Sequence, residues 1–134
     1  MASRGTVIRD FKDLEVWQRA VELVVESYRI TKSFPSEERY GLIAQVRRAA
    51  VSVPSNIAEG RGRFGLRSFL YHLSVSSGSL MELETQLVIA ERLQYLTPAD
   101  AQALMERTAE VRRLLAGMVR ALRAKQRRAV TDSQ

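Results

Sequence analysis

The sequence predicts an all-α fold, an antiparallel four-helix bundle, on three observations. Apolar residues recur at alternating steps of three and four in four separate segments, short Pro- or Gly-containing breaks divide those segments, and no stretch shows the two-residue alternation of a half-buried strand. At 134 residues, 46% apolar and 27% charged, the chain has the composition of one globular domain and not of a disordered segment. The expected organisation is an N-terminal segment 1–10, a bundle over 11–125 and a basic, polar C-terminal tail over 126–134.

The first helix is expected over 13–32, with Leu14, Trp17, Val21, Val24 and Tyr28 facing the core. Val16, Ala20, Leu23 and Ile30 run beside that stripe, so this helix buries more than one narrow seam. Ser33-Phe34-Pro35-Ser36 breaks the pattern, and the second helix is expected to begin there, with Ser36 as cap and Glu37 and Glu38 complementing the dipole. Its core positions are Leu42, Val46, Ala49, Val53 and Ile57, and Pro54 inside them predicts a kink without a stop. Ala49, Ala50, Ser52, Ser55 and Ala58 leave room for a neighbouring helix, and Gly60 suits a left-handed C-terminal cap.

The third helix is expected over 66–93, with Phe69, Leu73, Leu80, Leu83 and Leu87 inward and a small-residue patch around Gly78. Thr97-Pro98-Ala99-Asp100 is a strong helix start: Thr as N-cap, Pro at the first helical position, an acid at the third. Leu104, Thr108, Val111, Leu115, Met118 and Leu122 form the fourth seam, and after Arg123 the apolar pattern dissolves.

Several functions are excluded or disfavoured by composition. There is no cysteine, which removes disulfides, thiolate metal sites and cysteine nucleophiles, and only one histidine, His72. No cofactor or metal site is expected. Met1 to Thr6 has no signal-peptide core and no window nears ~18 uninterrupted apolar residues, so the expectation is a cytoplasmic protein without a membrane partner.

Twenty-one Lys and Arg against fifteen Asp and Glu give a net charge of +6, mostly from arginine, whose guanidinium forks onto phosphate oxygens. The natural partner is an anion, although solubility alone accounts for such a charge as well. Seven basic residues and no acid lie between Arg112 and Arg128. At ~100° per residue Arg113, Arg120, Arg123 and Arg127 fall within roughly an 80° arc, a stripe suited to phosphates or to a solvated face. Arg47 and Arg48, then Arg61, Arg63 and Arg67 around the loop Gly60-Arg61-Gly62-Arg63-Phe64-Gly65, form a second basic group, and Phe64 adds the aromatic character of RNA contacts.

Gly60, Gly62 and Gly65 spell GxGxxG, but after a helix and outside any βαβ unit, where the spacing has no nucleotide-binding meaning. Arg67 and His72 show the R-x4-H spacing of helical HEPN ribonucleases, in which a His performs acid–base cleavage beside an Arg. Five residues apart, the two do not stack on one helical face. Glu82, Glu84 and Glu91 are scattered and lack the histidines or close pairing that metal or glycosidase chemistry requires.

Five motifs in order resemble a known family: Phe11-Lys12-Asp13-Leu14-Glu15-Val16-Trp17; Phe34-Pro35 with Glu38-Arg39-Tyr40-Gly41; Gln45-Val46-Arg47-Arg48-Ala49-Ala50; Val53-Pro54-Ser55-Asn56-Ile57-Ala58-Glu59-Gly60; and Gly78-Ser79-Leu80 with Glu82-Leu83-Glu84-Thr85-Gln86. The chain thus resembles, from about Asp10 to Leu96, the bacterial four-helix bundles named after proteins encoded in 23S rRNA intervening sequences. The resemblance implies a ring-like homopentamer related to the accessory variability protein of diversity-generating retroelements, which binds nucleic acid and a reverse transcriptase. It implies no catalytic residues, and it places Asn56 and Glu59 in the family signature, Asn56 at the proline bend and Glu59 against a nearby Arg.

The expectation is a non-enzymatic homo-oligomer that binds RNA, or DNA or an RNA–DNA hybrid, through Arg47, Arg48, Arg61, Arg63, Arg113, Arg120, Arg123 and Arg127. The alternatives are an accessory subunit for a reverse transcriptase and, more remotely, a ribonuclease using Arg67 and His72.

Overall fold

Asp10 and Asp13 cap each other's turn ahead of the first helix. Asp10 Oδ1 accepts from the Lys12 backbone N–H at 2.8 Å, and Asp13 Oδ2 accepts from those of Arg9 and Asp10 at 2.8 and 3.3 Å, closing a 3-10 turn over Phe11–Asp13. These backbone bonds hold the Asp13 carboxyl below the usual carboxylate range. The structure, a computed structural model, describes residues 9–132; the rest of the N-terminal segment, Met1 to Thr6 included, and the last two residues of the tail lie outside the described residues.

Four helices follow: α1 (Glu15–Thr31), α2 (Leu42–Gly62), α3 (Leu66–Arg92) and α4 (Pro98–Asp132), with no strand among the described residues. Each packs on its neighbours in chain order, α2 against α3 most extensively, and α4 returns against α1 to close a four-helix bundle. Leu23, Val46, Val53, Ile57, Leu73, Leu80, Leu83, Leu87, Leu104 and Val111 fill its centre. The hydroxyls buried among them donate to carbonyls: Ser27 to Leu23, Thr31 to Ser27, Thr108 to Leu104, and Ser76 across to Val53, each at 2.8 Å.

Four expectations are corrected. In α1 the core stripe is Val16, Ala20, Leu23, Ser27 and Ile30, while Trp17, Val21 and Val24 flank it half-buried and Tyr28 is exposed. The second helix does not begin at Ser36: Ser36–Glu38 is a separate 3-10 turn, and α2 opens at Leu42, whose N–H donates to Glu38 Oε1 at 3.0 Å. Gly60 is not a cap, because α2 runs on to Gly62 and the glycine with positive φ is Gly65, at 96°. Gly60 is instead buried at the α2–α3 crossing, where an added Cβ would lie 2.8 Å from His72 Cβ and 3.0 Å from Phe69 Cδ1. Finally, the segment expected as a tail from 126 on continues the helix; Ala, Arg, Lys and Gln propagate α4 to Asp132 without burying a further residue.

Pro54 sits inside α2, which continues through it for eight more residues to Gly62. Its missing N–H leaves the Ala50 carbonyl without the usual helical donor, and Ser76 of α3 bonds the adjacent Val53 carbonyl, tying α3 to that turn. The predicted Thr97 cap is present: its Oγ1 accepts from the Asp100 N–H at 3.1 Å, with Pro98 first in the helix.

Candidate nucleic-acid interface

Up-and-down topology brings the start of α1, the α2–α3 connection and the C-terminal half of α4 to one end of the bundle. Two grooves flank α4 there. One, of about 380 Å³ between α3 and α4, has Leu70, Leu73, Leu115 and Val119 as its floor and Arg112, Arg120 and Arg123 beside Ser74 and Ser77. The other, of about 580 Å³, has Leu14, Leu66, Phe69, Met118 and Leu122 as floor and Arg61, Arg63 and Lys125 as its cations. Arg112 is neutralised by Glu84, and Arg63 by Glu59 at 2.7 Å. Arg61, Arg120, Arg123 and Lys125 form no ion pair among the described residues.

The predicted residues therefore divide. Arg61, Arg63, Arg120 and Arg123 meet at this end, and exposed Arg127 continues α4 past it. Arg113 sits apart on α4, in a shallow hollow with Ala103, Glu106, Arg107 and Glu110, of which Glu110 is paired with Arg19. Arg48 lines a groove between α2 and α3 with Gln45, Ser52, Ser79, Glu82 and Gln86. Arg47 is turned into the structure: its Nε donates to Thr31 Oγ1 at 2.9 Å, and its guanidinium lies 4.5 Å from the Tyr28 ring centroid. Sequence reasoning left Lys125 out of the site, although its spacing from Met118 and Leu122 continues the core seam onto the groove. It also passed over Arg9, which shares a cleft with Arg61 and Phe64.

His72 belongs to a polar chain that stitches α2 to α3. Ser52 and Ser79 hydroxyls meet at 2.8 Å, Asn56 Nδ2 donates to the Ser52 carbonyl at 2.9 Å, and Asn56 Oδ1 faces His72 Nδ1 at 3.2 Å. Since Asn56 donates through its nitrogen to a carbonyl, its oxygen is the acceptor and His72 Nδ1 carries the proton. His72 Nε2 then lies 3.8 Å from Glu59 Oε2, with the His72 side chain only 12% exposed. The Arg63 hydrogen bond is the main cause that lowers the pKa of Glu59. The structure does not join Arg67 to His72: Arg67 is exposed, and the contacts of His72 are to Asn56, Glu59 and the Tyr71 ring. Among the described residues no three His, Asp or Glu side chains converge as metal ligands, and no helix is long and apolar enough to cross a membrane.

Fold and site together define a class, the up-and-down four-helix bundle with one strongly basic end. Within it, the chain belongs to the 23S rRNA-intervening sequence protein family, whose sequence profile matches residues 12–117. Among solved structures it is similar to a protein of unknown function from the S23 ribosomal protein family of Bacteroides thetaiotaomicron, at 21% identity and a TM-score of 0.73, over 78% of this chain and 95% of that one. At that identity the likeness concerns the fold. A comparison with curated proteins gives no match.

Proposed function

We propose that this chain is a non-enzymatic RNA-binding protein that grips phosphates with the basic end of its bundle. The observation that carries the reading is the gathering of Arg61, Arg120, Arg123 and Lys125, free of carboxylate partners, in two grooves flanking one helix. Cations in that state release counterions from a polyanion on binding. Assembly into a homopentamer, as the family resemblance implies, would repeat this end around a ring and convert weak contacts into avidity.

A second reading, an accessory subunit for a reverse transcriptase, has its own support. Tyr71, Met81, Val88 and Ile89 are exposed along the outside of α3, an uncharged row suited to a protein partner.

The test is an anisotropy titration of a structured RNA at several salt concentrations. Replacing Arg61, Arg123 and Lys125 together by Ala should weaken binding and make the slope of log K against log salt shallower by about 2, while Arg113→Ala leaves both nearly unchanged. Negligible binding of the parent protein at low salt defeats the RNA reading and favours the protein-partner one, and an unaltered slope in the triple variant moves the RNA contact away from this end of the bundle.

A further inference from the structure

Phe64 is 101% exposed, a large apolar side chain that contributes nothing to the core. It stands at the tip of the α2–α3 connection between Arg63 and Gly65, whose φ of 96° turns the chain there. Beside it lies a cleft of about 330 Å³ lined by Arg9, Asp10, Phe11, Arg61, Gly62, Arg63 and Phe64. Of the acids nearby, Glu59 pairs with Arg63, and Asp10 accepts from the Lys12 N–H and keeps its single charge against those of Arg9 and Arg61 in the same cleft. Arg61 is left facing the cleft without an ion pair.

A bare aromatic face next to an uncompensated guanidinium matches an unpaired nucleotide, with the base on the ring and the phosphate on the arginine. A duplex offers phosphates to the same arginines but keeps its base faces stacked inside. A protein partner would bury Phe64 equally well, yet the surrounding cations favour an anionic one.

We propose that this cleft takes one unpaired nucleotide, its base stacked on Phe64 and its phosphate on Arg61, so that the protein prefers single-stranded or looped RNA to duplex. The inference rests on the RNA reading above and narrows it to a substrate class.

The experiment compares a fluorescein-labelled oligouridine with a blunt RNA duplex, using the full chain and its Phe64→Ala and Phe64→Trp variants. Phe64→Ala should lower affinity for the oligouridine about tenfold and leave the duplex affinity unchanged, while Phe64→Trp retains the affinity and has its fluorescence quenched by the oligouridine. Equal losses on both RNAs, or no loss on either, overturn the stacking role while leaving RNA binding standing. A Phe64→Ala variant that keeps its oligouridine affinity but changes its sedimentation makes the loop a protein contact instead. If the parent protein binds neither RNA, this inference and the RNA reading fall together.

Discussion

Neighbouring arginines on α2 meet opposite fates because one helical step turns a side chain by ~100°. Arg48 faces the groove with Glu82 and Gln86, whereas Arg47 reaches back to α1, donating from Nε to Thr31 Oγ1 at 2.9 Å and lying over the Tyr28 ring. That contact joins the last turn of α1 to α2 just beyond the connection between them. Arg47→Ala should therefore lower stability by about 1–2 kcal/mol in urea denaturation without altering the salt dependence of RNA binding. Arg47→Lys should recover little, since an ammonium lacks the plane that stacks and the fork that donates. An unchanged urea midpoint together with weaker RNA binding would return Arg47 to the binding surface. The sequence names both arginines as basic but does not say which is occupied, because the partners of Arg47 stand 16 and 19 residues earlier, on another helix.

At the scale of elements, the α2–α3 crossing depends on how closely two backbones approach at Gly60. Alanine is the better helix former by ~1 kcal/mol, so propensity alone predicts that Gly60→Ala stabilises α2. Its Cβ, however, would meet His72 Cβ at 2.8 Å and Phe69 Cδ1 at 3.0 Å, and His72 Cβ is too near its backbone to swing aside. The helices must separate, which strains the Asn56–His72 bond at 3.2 Å, and the net expected effect is a loss of about 1–3 kcal/mol. Urea denaturation gives the sign, and a shifted His72 ring proton resonance locates the change; a more stable variant would sink the close-approach argument. This crossing was only half legible in the sequence. The small residues of α2 announced a close neighbour, but three glycines within six residues made Gly60 look like a helix end, and the contacts that single it out come from α3. The α1 stripe misled for a related reason. Two adjacent apolar rows both have helical spacing, and the one that faces the core contains Ser27, whose hydroxyl is satisfied by the Leu23 carbonyl and so is not penalised by burial.

For the whole molecule, the periodicity was enough to define four helices and their order, and the alternating directions follow from short connections. What periodicity could not supply is where charges from distant segments meet. Viewed along α4 alone, Arg113 belongs with Arg120 and Arg123; in the bundle it lies outside the two grooves at the basic end, and Arg61 and Arg63 from the end of α2 and the connection after it join Arg120 and Arg123 there. The length of α4 also emerges only at this scale. At ~1.5 Å per residue its 35 residues span ~52 Å and the 27 of α3 span ~40 Å, so the last turns of α4 project beyond the partner helix. Arg127 and Arg128 ride on that projection, exposed and adding nothing to the core, which makes it a lever for charge with no cost to folding. Truncation after Gln126 should accordingly leave the thermal midpoint within about 2 °C of the full chain, since no buried residue is removed, and make the salt slope of RNA binding shallower by about 1–2. If the midpoint instead falls by ten degrees or more, the projecting turns must be packed against something in solution. Because the bundle buries none of their side chains, that outcome would point to a second copy of the chain covering them, and the basic end would then be an assembly surface.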